Sequence, residues 1–109
     1  MRELLEGLIT KFNDRVRTDP KLAEELEGLE RTVTVQLADG RAFHFTLKDR
    51  YIDGLLDGPA PKAHVTIRSD EATIVGLVRR EIGPYKALFS GKLKLKGDLE
   101  DLARFRKFF

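Results

Sequence analysis

The chain has 109 residues, 41% of them hydrophobic and 35% charged, which supplies one modest core and is too short for a two-domain enzyme. Twenty basic against eighteen acidic residues leave a net charge of +2, so the balance does not demand nucleic acid as a partner. The absence of cysteine excludes a disulfide framework, a thiolate nucleophile and a cysteine-based zinc site, and it suits a reducing compartment.

Charge is unevenly spread: residues 1–30 hold five basic and eight acidic groups, whereas residues 84–109 hold seven and three. Abundant Glu, Lys and Arg beside a single Met also suit a heat-adapted organism. No apolar run approaches the roughly 18 residues that a membrane span needs. The start, Met1-Arg2-Glu3-Leu4-Leu5-Glu6, carries acids where a secretory leader needs an apolar run. The expectation is therefore a soluble, unprocessed, cytoplasmic chain forming one domain over residues 1–109.

Leu4, Leu5, Leu8, Ile9, Phe12 and Val16 recur at helical spacing and predict an amphipathic first helix. Thr18-Asp19-Pro20 then supplies a cap followed by proline in a first turn, and Leu22, Ala23, Leu26 and Leu29 continue a second helix that Gly28 helps to end. From Arg31 the period becomes two: Val33, Val35 and Leu37 alternate with polar residues up to the turn Ala38-Asp39-Gly40-Arg41. Phe43, Phe45 and Leu47 alternate after it, predicting a hairpin. A third strand is expected over Tyr51 to Leu56, and prolines 59 and 61 place Asp57–Pro61 in a loop.

Val65 and Ile67 mark a fourth strand. Ser69-Asp70-Glu71 opens a helix carrying Ile74, Leu77 and Val78, with Ser69 read as a cap and Gly83-Pro84 as the end of the helix. A short apolar segment, Tyr85–Phe89, precedes Ser90-Gly91. Lys92, Lys94 and Lys96 then alternate with Leu93 and Leu95 in a fifth strand, and Gly97-Asp98 leads into a last helix with Leu99, Leu102, Phe105, Phe108 and Phe109 on its apolar side. The predicted class is α+β: a five-stranded sheet with helices packed on one face and a polar, solvated face carrying Thr34, His44, Thr46, His64, Thr66, Arg68 and the three lysines.

Sites for chemistry are scarce. His44 and His64 occupy polar-face strand positions without metal-ligand spacing, so no metal and no cofactor are expected. Ser90 lacks the first glycine of a nucleophile elbow. The stretch Gly91-Lys92-Leu93-Lys94-Leu95-Lys96-Gly97 lacks the Gly-Lys-Ser/Thr end of a phosphate loop, and its alternation makes a strand. No aromatic interleaves with the lysine row, so stacking on single-stranded nucleic acid is not supported; the lysines suit a solvated face or a protected sheet edge. Aspartates 39, 49, 53 and 57 fit turns and not a calcium loop. An enzyme is the least favoured class.

What remains is an apolar concentration in the second half of the chain. There Val65-Thr66-Ile67-Arg68-Ser69-Asp70-Glu71 enters a helix, and Ala87-Leu88-Phe89-Ser90-Gly91-Lys92-Leu93-Lys94-Leu95-Lys96-Gly97-Asp98 leads into an apolar last helix. In this order the segments resemble the sterol carrier protein 2 family, over about residues 20–109. The resemblance implies a non-catalytic five-stranded sheet under helices, with a hydrophobic tunnel for fatty acyl chains, acyl-CoA or sterols. The chain departs from peroxisomal members in ending Arg106-Lys107-Phe108-Phe109 without their targeting tripeptide.

The expected ligand-binding residues are Val65, Ile67, Ile74, Leu77, Val78, Leu88, Phe89, Leu93, Leu95, Leu102, Phe105 and Phe109. Gly76 either leaves room for a ligand or allows close packing, and Lys86 and Lys92 are candidates for attracting a ligand headgroup near the mouth. The expected partner is a lipid or acyl ligand, with no nucleic acid, at most transient membrane contact, and a monomer or weak homodimer. Two competing classes stay open. One is a protein-interaction or oligomerisation module with a filled cavity, using Phe108 and Phe109 or the lysine strand. The other is a nucleic-acid binder, which salt-dependent retention lost on neutralising Lys92, Lys94 and Lys96 would reveal.

Overall fold

Helix α1 covers Arg2–Thr18 in the computed structural model, which describes residues 1–108, with side chains through Arg104. Leu5, Ile9, Phe12 and Val16 form its buried stripe. Asp19 leaves helical geometry and its carboxylate accepts the Leu22 N–H at 3.2 Å, which caps α2 (Pro20–Glu25) as the Asp-Pro pair predicts. Strands β1 (Arg31–Leu37) and β2 (Ala42–Lys48) form the expected hairpin, with Val33 opposite Phe45 and Val35 opposite Phe43. Their apolar residues therefore share one face, and all are buried in a core that also holds the α1 stripe.

The sheet has six strands where five were expected, because the third divides. β3 is only Tyr51–Ile52, and β4 is Leu56–Asp57; both pair with β2. Asn13 of α1 explains the break: its side chain donates to the Ile52 carbonyl and accepts the Ile52 N–H, each at 2.9 Å. The chain then leaves the sheet, buries Leu55 in the core, and rejoins β2 opposite His44 and Phe43. β5 (Val65–Ser69) runs parallel to β1, and β6 (Leu93–Gly97) runs antiparallel to β5, giving the order β3-β2-β1-β5-β6 with β4 also on β2.

Between β4 and β5 the chain crosses the polar face. His44 Nδ1 lies 2.8 Å from the Gly58 carbonyl, and the Ala60 N–H donates to Thr34 Oγ1 at 3.1 Å. Thr34 is consequently buried, which corrects the expectation of a fully solvated polar face: the hydroxyl is satisfied by loop backbone instead of water.

Helix α3 (Glu71–Val78) is capped by Asp70, whose carboxylate accepts the Thr73 N–H at 2.7 Å. Ser69, expected as a cap, is instead the buried end of β5, and its hydroxyl donates to the Lys92 carbonyl at 2.7 Å. The helix also stops earlier than Gly83-Pro84. Arg80 adopts φ +61°, and the Glu81 and Arg80 N–H groups bond back to Gly76 and Leu77 carbonyls, a C-terminal motif ordinarily built on glycine. Gly83-Pro84 starts a new helix, α4 (Pro84–Phe89), from the segment read only as apolar. Gly76 serves close packing: a Cβ there would lie 2.7 Å from Ile82 Cγ1. Helix α5 (Leu99–Phe108) follows β6.

Candidate functional site

The helices and the sheet border a partly open pocket of about 40 Å³. Its walls are Phe12 from α1, Val33 from β1, Phe45 and Leu47 from β2, Ile52 from β3 and Val65 from β5. The hairpin register places Val33 beside both Phe45 and Val65, so three strands contribute one continuous apolar surface. An engineered apolar cavity that admits benzene measures about 150 Å³, so an alkyl chain needs this pocket to expand. A larger hollow of about 460 Å³ lies near the end of α1 and the β2–β3 turn, but Arg17, Lys48, Asp49 and Asp53 line it and give an alkyl chain little to bury against.

One end of the apolar pocket is closed by charge. Asp101 of α5, only 6% exposed, accepts from Arg31 Nε at 2.7 Å and from Arg104 Nη1 at 3.2 Å. Arg104 also holds Glu100 at 2.7 Å, and Arg31 donates to the Glu30 carbonyl at 2.7 Å. The Arg31 hydrogen bond holds the Asp101 carboxyl below its ordinary range; the Arg31 and Arg104 charges act the same way, while burial opposes them. The effect is to pin α5 across the pocket through β1.

Of the expected ligand-binding residues, Val65, Ile67, Ile74, Val78 and Leu102 belong to or pack against one apolar core, but among the described residues only Val65 lines the pocket. Leu102 packs partly buried on that core from α5. Ile74 and Leu93 are buried, and Ile67 and Leu95 sit side by side in the β5–β6 register, half-buried. Leu77 and Val78 are half-buried on α3. Leu88 and Phe89 point outward from α4, 37% and 89% exposed. The Phe105 and Phe109 side chains, like that of Phe108, lie outside the described residues.

Sequence reasoning did not select Phe12, Val33, Phe45, Leu47 or Ile52, nor the Arg31–Asp101–Arg104 group. The period-two alternation exposed the shared face of the strands, but not which part of that face stays unfilled. Asp101 and Arg104 have helical i,i+3 spacing; their partner Arg31 is 70 residues away from Asp101 in sequence.

Among the described residues, no group of three or more His, Asp or Glu is placed to hold a metal. His64 Nδ1 accepts the Thr32 N–H at 3.0 Å, and the His44 ring is engaged with Gly58, so the two histidines serve separate backbone contacts. The Ser90 hydroxyl returns to the Ala87 carbonyl at 3.2 Å, as a helix-end serine does.

Compared with known proteins, residues 9–109 match the model of the SCP-2 sterol transfer family. Sterol carrier protein 2 like 2 from Aedes aegypti is 17% identical, with a TM-score of 0.62 over 99% of this chain and 98% of that one. The apo form of sterol carrier protein 2 from Yarrowia lipolytica is 20% identical, with a TM-score of 0.61 over 91% and 88%. A sec-alkylsulfatase, Pisa1 from Pseudomonas, matches 80% of this chain at 23% identity and a TM-score of 0.64, yet the match spans only 14% of that longer protein. These likenesses show a shared fold. No curated protein matches the chain in sequence.

Proposed function

Because this chain belongs to the SCP-2 sterol transfer family, a membership that supports lipid binding or transfer in general, we propose that it binds or carries a hydrophobic ligand without catalysing a reaction on it. The observation that carries this reading is the apolar pocket between α1, the sheet and α5. An aliphatic chain enters by displacing α5 and spreading the Phe12 and Phe45 side chains. Each buried methylene contributes roughly 0.8 kcal/mol, so ten offer about 8 kcal/mol toward breaking the Arg31–Asp101 contact and ordering the ligand. Fatty acid, acyl-CoA and sterol all suit such a site, and the chain works as a cytoplasmic monomer or weak homodimer. Among the described residues no helix is long and apolar enough to cross a membrane.

Titration with a fluorescent fatty acid, together with mass spectrometry of lipid extracted from the purified protein, tests the proposal. Saturable binding that weakens in Val65→Phe, which fills the pocket, is expected. No bound lipid and no saturable binding to the wild type would refute it. The small size of the pocket favours a second reading, an interaction or oligomerisation module with a filled interior. Light scattering showing a stable oligomer, joined to failed ligand uptake, would establish that reading instead.

A further inference from the structure

Helix α4 faces the wrong way for a core helix. Within Pro84–Phe89 only Ala87 is buried, while Tyr85, Leu88 and Phe89, spaced i, i+3 and i+4, form a single outward stripe at 49%, 37% and 89% exposure. A core-packing helix turns such a stripe inward. The stripe stands in a basic surround. Residues 79–97 hold six basic groups and one acid, Glu81. Arg79 and Arg80 end α3, Lys86 lies beside the stripe, and Lys92, Lys94 and Lys96 run along β6. β6 is the edge of the sheet and α4 packs against it, while Lys94 and Lys96 project from the face opposite Leu93 and Leu95 at that same edge. Arg68 of β5 adds a seventh cation directly opposite Lys94.

Arginine pairing sets this region apart, whereas lysines 11, 21, 48 and 62 elsewhere form no ion pair among the described residues either. Arginines 2, 17, 31, 41, 50 and 104 each hold a carboxylate within 4 Å. Among the described residues Arg68, Arg79, Arg80, Lys86, Lys92, Lys94 and Lys96 form no such pair, although Asp70 acts on Lys92 at longer range. Clustered like charges of this kind attract a surface of opposite sign.

We propose that the α4 stripe and the cations around it form a docking surface for a bilayer carrying acidic phospholipids. Phe89 and Leu88 enter the headgroup boundary, where aromatic and aliphatic side chains leave water, and the lysines and arginines meet the negative leaflet. The acidic N-terminal segment, with eight acids in thirty residues, then faces away from the membrane or is repelled by it. The surface stands independently of the ligand reading, since no contact in it involves the apolar pocket.

Co-sedimentation of the full chain with phosphatidylcholine vesicles, with and without phosphatidylglycerol, tests the proposal. The wild type should pellet with the mixed vesicles, at least tenfold more than with phosphatidylcholine alone, and dissociate as salt is raised. Phe89→Ser and Lys86→Glu should each lower that partitioning several-fold. Leu56→Ser, which removes an equally conspicuous exposed leucine from the opposite edge of the sheet, should leave it unchanged. The proposal is overturned if the wild type ignores anionic vesicles, if Leu56→Ser matches Phe89→Ser, or if DNA is retained as strongly as vesicles and Phe89→Ser alters neither. Far-UV circular dichroism of each variant confirms the fold, and fatty acid titration of Phe89→Ser reports separately on the pocket.

Discussion

Substituting Asp101 by Asn keeps shape and one acceptor but removes the charge that fastens α5 to β1. Hydrogen bonds involving a charged group contribute about 1.5–3 kcal/mol and neutral ones about 0.5–1.5 kcal/mol, so the loss is near 1 kcal/mol per bond. Two bonds are affected. Arg31 and Arg104 are about one-third exposed and Arg104 keeps Glu100, so solvent moderates the effect. The expected destabilisation is about 1–2 kcal/mol, seen at neutral pH as a fall of roughly 5–10 °C in Tm.

The same substitution carries a pH signature. The folded Asp101 pKa lies below its ordinary value of 3.8, so its contribution is complete above that value and is lost as pH falls through the folded pKa. The stability gap between wild type and Asp101→Asn should therefore be constant near neutrality and close in strong acid. Asp39, lowered by its hydrogen bond from Arg41, and Asp70, lowered by the Thr73 N–H, lose their contributions in both proteins and cancel from the difference. If α5 also gates the pocket, fluorescent fatty acid should enter the variant about fivefold to thirtyfold faster, the factor that 1–2 kcal/mol represents. Equal melting temperatures at pH 7, or a gap that persists unchanged in acid, would refute the idea that this ion pair holds the helix.

Gly97→Ala should destabilise by about 1–3 kcal/mol in urea unfolding, because its Cβ would stand 2.6 Å from the His64 carbonyl oxygen at φ +156°; a midpoint equal to wild type would contradict that approach of β5 to β6. Arg50→Gly should stabilise by about 0.5–1 kcal/mol, because Asp49 and Arg50 at φ +51° and +74° make a tight hairpin turn that favours glycine, and the exposed Glu27 contact it forfeits at 3.5 Å is weak. Thermal melts of the two proteins decide the sign.

Much of the architecture was legible where local signals act alone. The Asp19-Pro20 cap, the Asp39-Gly40 hairpin and the alternation of Val33, Val35 and Leu37 each depend on neighbours within a few residues, and each appears as expected. The third strand was misread because its interruption comes from Asn13, 39 residues away, which captures the Ile52 backbone. Ser69 and Asp70 are equally good caps by residue type; the position of Lys92 across the sheet edge decided between them. For the pocket, apolar residues at strand and helix spacing all look alike, and which ones line residual space depends on how their volumes meet. Phe89 shows the other side of this: an aromatic in an apolar run reads as core until the orientation of α4 leaves it in solvent.

The sequence by itself determined the class of the fold and the order of most of its helices and strands, because periodicity, capping and turn chemistry are carried by residues close together in the chain; the family was visible as a resemblance carried by residues 65–71 and 87–98. Only the tertiary structure decided that Arg31, Asp101 and Arg104 would meet, that the interior would narrow to about 40 Å³, and that an aromatic stripe would sit beside unpaired cations at the β6 edge. Those outcomes depend on distances between segments brought together by the β1–β5 pairing and the packing of α1 and α5, and no local spacing encodes them.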